Sequence, residues 1–362
     1  MPSSSRMEKI CANLFILIVT IFFMFIFCEI LMKLFFFHPS YNLRSPGMLN
    51  GHGGELKVEL IPNNLYKIQP NKKLGINKYG FRDHDFSIQK HGLKRIVFLG
   101  DSFVMGLNVK SEETMPKMLE KQLKNYEVDN MGVFGFGPDQ ELNVFEESGF
   151  KLKPDMVIEG FCAMNDSGDI LNNAIYTIWP HDKLEVTRTN MVKSMVFSSA
   201  FSIVNQINFL KNRDYILSIL DPLLFDDGYD LTWIKNGDLK DSKFKFSLME
   251  AIFQRMNDEI SSRKINFLAI IIPSYNNICN DTFFKENHVD PTLYFTNESV
   301  YQHILEVERI PYINLAPYFM QLEKQQRCNL YDSGNGHFSP LGNFYASKII
   351  ALYMNEHGLI EK

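Results

Sequence analysis

Apolar and polar positions divide the chain into three stretches of different texture. From Ile10 to Cys28 almost every residue is apolar, a run of about 19 positions, the length a helix needs to cross a bilayer. Glu29 and Lys33 interrupt it, and Leu34 to Phe37 extend it to a far interface. Bulky residues follow rather than an Ala-x-Ala-like cleavage site. Residues 10–37 therefore read as a retained transmembrane signal anchor and not as a removed signal peptide. Residues 38–92 are rich in Pro, Gly, Asn and Lys, with few sustained apolar patterns, and read as an extended tether. Ile76–Arg82 is a turn-bearing piece within it, a candidate to pack against a domain edge.

From Lys94 onward short apolar runs alternate with helical spacing. Ile96–Leu99, Tyr126–Asn130, Pro154–Phe161, Lys264–Ile272 and Pro311–Leu315 predict strands. Glu113–Leu123, Asp139–Glu147 and Leu341–Asn355 predict helices, the last with Ala346, Ile349, Ile350 and Tyr353 on one face. Strands separated by helices predict an α/β domain over residues 93–362, a parallel sheet with helices on both faces. Residues 167–245 break the rhythm as a long insertion carrying Trp179 and Trp233. Such an insertion is either a lid or substrate wall, or a helical cover that touches no ligand.

Charge and cysteine content then narrow the classes. The net charge of -5 is spread without blocks, which leaves no electrostatic footprint for nucleic acid. Arg6 and Lys9 ahead of the apolar run favour a cytoplasmic segment 1–9, which places the domain outside. Lys33 and Arg44 follow closely and keep that bias small. Cys11 and Cys28 lie in the apolar run, and Cys162, Cys279 and Cys328 are scattered; no Cys-x-x-Cys or Cys/His cluster suggests zinc. Cys279 and Cys328 read as free buried thiols, with a disulfide as the alternative in an oxidising compartment.

Four features fall at the carboxyl ends of predicted strands, where open α/β sheets bind ligands. Gly100-Asp101-Ser102 follows the first. Gly135 lies in the turn Asn130–Gly137 after the second. Asn165-Asp166 follows the third, and Asp332-Ser-Gly-Asn-Gly-His337 follows the fifth. A nucleophilic serine needs a base within hydrogen-bond reach, and histidine is the usual one near neutral pH. A glycine N–H and an Asn amide are suitable donors to an oxyanion. The blander readings are a helix cap for Ser102, a turn residue for Asn165 and a loop histidine for His337. Asp166 is a candidate cap for the turn after the third strand.

This order of motifs resembles the SGNH (GDSL-like) hydrolase family over about Arg95 to Asn355, the insertion excepted. The resemblance implies a flavodoxin-like three-layer α/β/α sandwich and ester hydrolysis or acyl transfer through a serine acyl-enzyme, with no metal or cofactor. It assigns Ser102 as nucleophile and His337 as base, with the N–H groups of Ser102 and Gly135 and the Asn165 amide as oxyanion donors. The family places an Asp two or three residues before the histidine, where this chain has Asn335 and Gly334. Either a bend brings Asp332 to His337, Asn335 orients it, or the triad is degraded. The favoured orienter is Asp332, because a carboxylate steadies an imidazolium better than an amide does. The expected activity is that of a single-pass, extracytoplasmic serine esterase or O-acyltransferase acting on an ester of an envelope glycan or lipid. The alternative is a non-catalytic glycan- or lipid-binding module that kept the fold.

Overall fold

The structure is a computed structural model that describes residues 4–31, 40–49, 52–61, 65–173, 175–178, 184–186, 239–286, 295–332, 334 and 336–360. The chain forms two compact units, one holding residues 1–39 and 187–221, the other the remainder. In the first, α1 (Ser4–Leu31) is a helix of 28 residues. Between residues 12 and 24 its large apolar side chains are exposed on every face, from Leu17 at 54% to Phe15 at 68%. Among the described residues no helix is long and apolar enough to cross a membrane.

The second unit begins with a correction. The expected tether is not an open linker: β1 (Ser40–Leu49), β2 (His52–Ile61) and β3 (Leu65–Ile68) form an antiparallel sheet. The signal was in the sequence, because Leu56, Val58 and Leu60 alternate with Glu55, Lys57 and Glu59 at the period of a strand. The piece that follows is part of the core. Leu74, Ile76, Phe81 and Phe86 are buried in the main apolar cluster. Arg82, wholly buried, donates to the carbonyls of Leu74, Gly106 and Val109.

The central sheet consists of β4 (Lys94–Gly100), β5 (Tyr126–Asn130), β6 (Met156–Cys162), β9 (Asn266–Ile272) and β10 (Tyr312–Asn314), in the order β10-β9-β6-β4-β5. All neighbours run parallel. The strands are short and apolar on both faces because both faces are covered. Val97, Leu99, Val157 and Ile271 pack with α4 (Pro138–Glu147) and the helices Leu239–Ser262 and Thr296–Val307. Ile96, Phe98, Ile158 and Ile270 pack with α3 (Met115–Glu120) and the last helix, Pro340–Glu356. Each such side chain contributes roughly 1.5–3 kcal/mol by leaving water. The result is an α/β fold with a five-stranded parallel sheet between two helical layers.

Two details differ from expectation. The helix expected at Glu113–Leu123 is shorter: a 3₁₀ turn at Ser111–Glu113 and buried Thr114 precede α3, whose second residue is Pro116. Within the expected insertion, α5 (Asp166–Asn173) belongs to the core through Ile170. It is followed by a two-stranded ribbon of β7 (Tyr176–Thr177) and β8 (Glu185–Val186). Trp179, Trp233 and residues 187–238 lie outside the described residues.

The chain passes from β4 to β5 on one side, then crosses to β6 on the other. That reversal opens a crevice above the carboxyl end of β4.

Candidate active site

Ser102 stands where β4 ends. A Cβ on Gly100 would come within 2.3 Å of Val104 Cγ2 and 2.5 Å of the Gly160 carbonyl oxygen, so the chain turns there without a side chain. Asp101 then caps α2 (Ser102–Met105), its Oδ1 accepting from the Phe103 N–H at 2.8 Å. Ser102 is thereby the first helical residue, with its Oγ facing two acceptors. His337 Nε2 is 2.8 Å away and Asp101 Oδ2 is 3.3 Å away.

His337 comes from the loop between Tyr331 and Ser339. Tyr331 and Phe338 pair across its base. Asp332 N–H donates to the His337 carbonyl at 2.7 Å, and Gly336 N–H donates to the Asp332 carbonyl at 2.8 Å. The Phe103 ring lies 4.9 Å from the His337 ring and 4.9 Å from Phe338, so α2 supports the histidine as well as the serine. The Asp332 side chain is exposed, and its Oδ1 accepts the Gly334 N–H at 2.7 Å. Asn335 lies outside the described residues.

Ser102, Gly135, Asn165 and His337 line one cleft of about 570 Å³, walled also by Phe134, Met164, Asp169 and Tyr275. Gly135 sits exposed on a turn that is fixed at its start. Asn130 Nδ2 donates to the Val104 carbonyl at 3.0 Å, Asn130 Oδ1 accepts from Gly132 N–H at 3.0 Å, and Val133 N–H donates to the Gly100 carbonyl at 2.9 Å. Asn165 Nδ2 donates to Asp169 Oδ2 at 2.8 Å and to Asp166 Oδ1 at 3.2 Å. Asp166 caps the turn after β6, accepting the Cys162 N–H at 2.8 Å.

Two groups near the site were missed in the sequence. Asp83 Oδ2 accepts the Asn130 N–H at 2.8 Å, while its Oδ1 faces Lys117 Nζ at 3.1 Å and His84 Nδ1 at 2.6 Å. The hydrogen bond from Asp83 raises the His84 pKa. This network ties the expected tether to the turn that carries Gly135. Behind Ser102 lies a second group, the buried carboxyls Asp101, Glu141, Glu159 and Asp166. Burial pushes Asp101 and Glu159 up to about 7. Burial and acidic neighbours hold Glu141 and Asp166 well above the carboxylate range. The visible clue was Glu159, a lone acid inside the apolar run of β6. Among the described residues no group of three or more His, Cys, Asp or Glu is placed to hold a metal ion.

The expectation of free thiols at Cys279 and Cys328 is corrected. The two form a disulfide, with Cα atoms 5.4 Å apart. It joins the short helix Tyr275–Cys279, whose first residue walls the cleft, to Lys324–Cys328, just ahead of the His337 loop. Cys162 is free and buried.

No family model and no curated protein matches the chain. Solved structures similar to it include the lipase/acylhydrolase from Enterococcus faecalis, at 15% identity and a TM-score of 0.41, covering 73% of this chain and 97% of that one. An acetyl xylan esterase is similar at 11% identity and a TM-score of 0.39, covering 71% and 97%. A two-domain esterase active on acetylated mannans is similar at 12% identity and a TM-score of 0.39, covering 73% of this chain and 49% of that one.

Proposed function

We propose that the chain is a serine esterase or O-acyltransferase of the SGNH type, held at a membrane by the apolar segment of residues 10–37. One observation carries the reading: a serine at a strand end and a histidine 235 residues later meet at 2.8 Å. His337 Nε2 takes the Ser102 hydroxyl proton as Oγ attacks the ester carbonyl. The developing oxyanion falls to the N–H groups of Ser102 and Gly135, and to the Asn165 amide as it turns away from Asp166 and Asp169. Protonated His337 then gives its proton to the leaving alcohol. Water or an acceptor hydroxyl next loses a proton to His337 and takes the acyl group from Ser102. Asp332 or Asn335 orients the imidazole.

The aromatic rings of Phe134 and Tyr275 beside Asn165 suit a short acyl ester, acetyl among them, carried on an envelope glycan or lipid. The apolar run from Ile10 to Cys28 in the sequence supports the anchor. The Cys279–Cys328 disulfide supports a domain on the extracytoplasmic side, where disulfides persist. The test is labelling of the full chain, in detergent, by a fluorophosphonate probe. The wild-type chain is expected to label, and Ser102→Ala and His337→Ala to lose labelling by about 10³-fold or more. A wild-type chain that stays unlabelled points instead to the non-catalytic binding module.

A further inference from the structure

The hydroxyl of Ser102 has one proton and two acceptors within reach. His337 Nε2 is at 2.8 Å and Asp101 Oδ2 at 3.3 Å. Asp101 is 2% exposed, and its other oxygen is held by the Phe103 N–H, so Oδ2 is the end presented to the serine. We infer that Asp101 gates the nucleophile: in its neutral form it directs the Ser102 proton to His337, and in its ionised form it draws that proton to itself. The inference rests on the proposed role of Ser102 as nucleophile.

A neutral carboxyl has an O–H to donate, and an ionised one only accepts. Neutral Asp101 donates to Ser102 Oγ and leaves the serine proton for His337 Nε2, a chain in which each bond strengthens the next. Ionised Asp101 competes for that proton with a charge-assisted bond, roughly twice as strong as a neutral one. The 0.5 Å advantage of the histidine is then offset. A full negative charge buried beside Ser102 also opposes the oxyanion that forms there. Both effects slow attack when Asp101 ionises.

The groups around Asp101 set where this happens. Asp169 on α5 acts on it, Asp101 acts in turn on Asp166 of α5, Glu159 of β6, Glu141 of α4 and the Cys162 thiol, and His337 faces it across Ser102. Burial disfavours its charge most, the Asp169 carboxylate adds to that, and together they bring its titration to about 7. The switch therefore falls in the range where an ordinary aspartate is long since ionised.

The experiment follows the rate of fluorophosphonate labelling of the full chain in detergent from pH 5.5 to 9. Asp101→Asn keeps an acceptor for the Phe103 N–H and a donor for Ser102 Oγ, and it does not titrate. In the wild type the rate is expected to rise as His337 loses its proton, then to fall about tenfold per pH unit above the midpoint of Asp101. In Asp101→Asn the rise remains and the fall disappears. If Asp101→Asn does not fold, Asp101→Ser serves, since serine also caps a helix and does not titrate in this range. The same alkaline fall in wild type and variant, or no fall in either, overturns the inference. A wild-type chain that labels at no pH, like Ser102→Ala, shows instead that the serine reading has failed and takes the inference with it.

Discussion

The two residues that meet in the cleft stand on opposite kinds of support. Ser102 is mounted on the core. The strand before it is buried from Arg95 to Gly100, Val104 and Met105 after it are at 0% exposure, and Asn130 ties the turn to the next strand. His337 is mounted on an exposed loop, held at its base by the Tyr331–Phe338 pair and the buried Phe338 ring. On that side the covalent Cys279–Cys328 link supplements packing. A nucleophile can thus be fixed by close packing alone, while a base on a surface loop needs a tie from outside the loop.

Breaking the tie should have the larger effect on stability. The disulfide joins residues separated by 49 positions, and on the chain-entropy model its loss costs about 4 kcal/mol. Cys279→Ser with Cys328→Ser is expected to lower the urea midpoint accordingly. An unshifted midpoint would show that the His337 side stands without its link.

Attacking the packed side should cost somewhat less. Gly100→Ala forces a methyl group against Val104 and the Gly160 carbonyl, from a backbone at φ 153°. Overpacking of this kind costs about 3 kcal/mol, read as a lowered melting temperature. The same substitution at Gly336, at φ 75° beside Tyr275 Cβ at 3.2 Å, should cost about 1 kcal/mol, because an exposed loop can yield. Equal losses at the two glycines would erase the contrast between the supports.

The last prediction sharpens the comparison within the loop. Asp332→Ala is expected to lower turnover of an activated ester by about 30-fold, less than loss of a buried triad carboxylate, because Asp332 is exposed to water. Full activity in Asp332→Ala with loss in Asn335→Ala would assign the orienting role to Asn335.

The same contrast explains what could be read in the sequence. Ile96–Leu99 followed by Gly-Asp-Ser is local information: a buried strand, a turn that must lack a side chain, then a capped helix. All five strands of the central sheet share that property, and their positions were legible to within a few residues. The orientation of His337 is not local in this sense. It depends on the backbone path through Asp332, Gly334 and Gly336, where several conformations suit the same residues. The Cys279–Cys328 disulfide stood in the sequence only as the alternative to free thiols, since spacing alone cannot say whether two cysteines approach. The part played by Asp83 was hidden because Asn130, its partner, lies 47 residues away. The strands of Ser40–Ile68 were legible and overlooked, since Pro and Gly drew notice away from the alternation in β2.

The 235-residue gap between Ser102 and His337 has a consequence for the life of the chain before it is complete. Contacts so distant in sequence form only after the intervening sheet has assembled. Domains form as synthesis proceeds from the amino end, so the nucleophile is made long before its base. On the proposed reading, a nascent or truncated chain ending ahead of the final helix carries an unactivated serine. On the same reading, a serine that reacts reports that the chain has reached His337 and the elements that hold it.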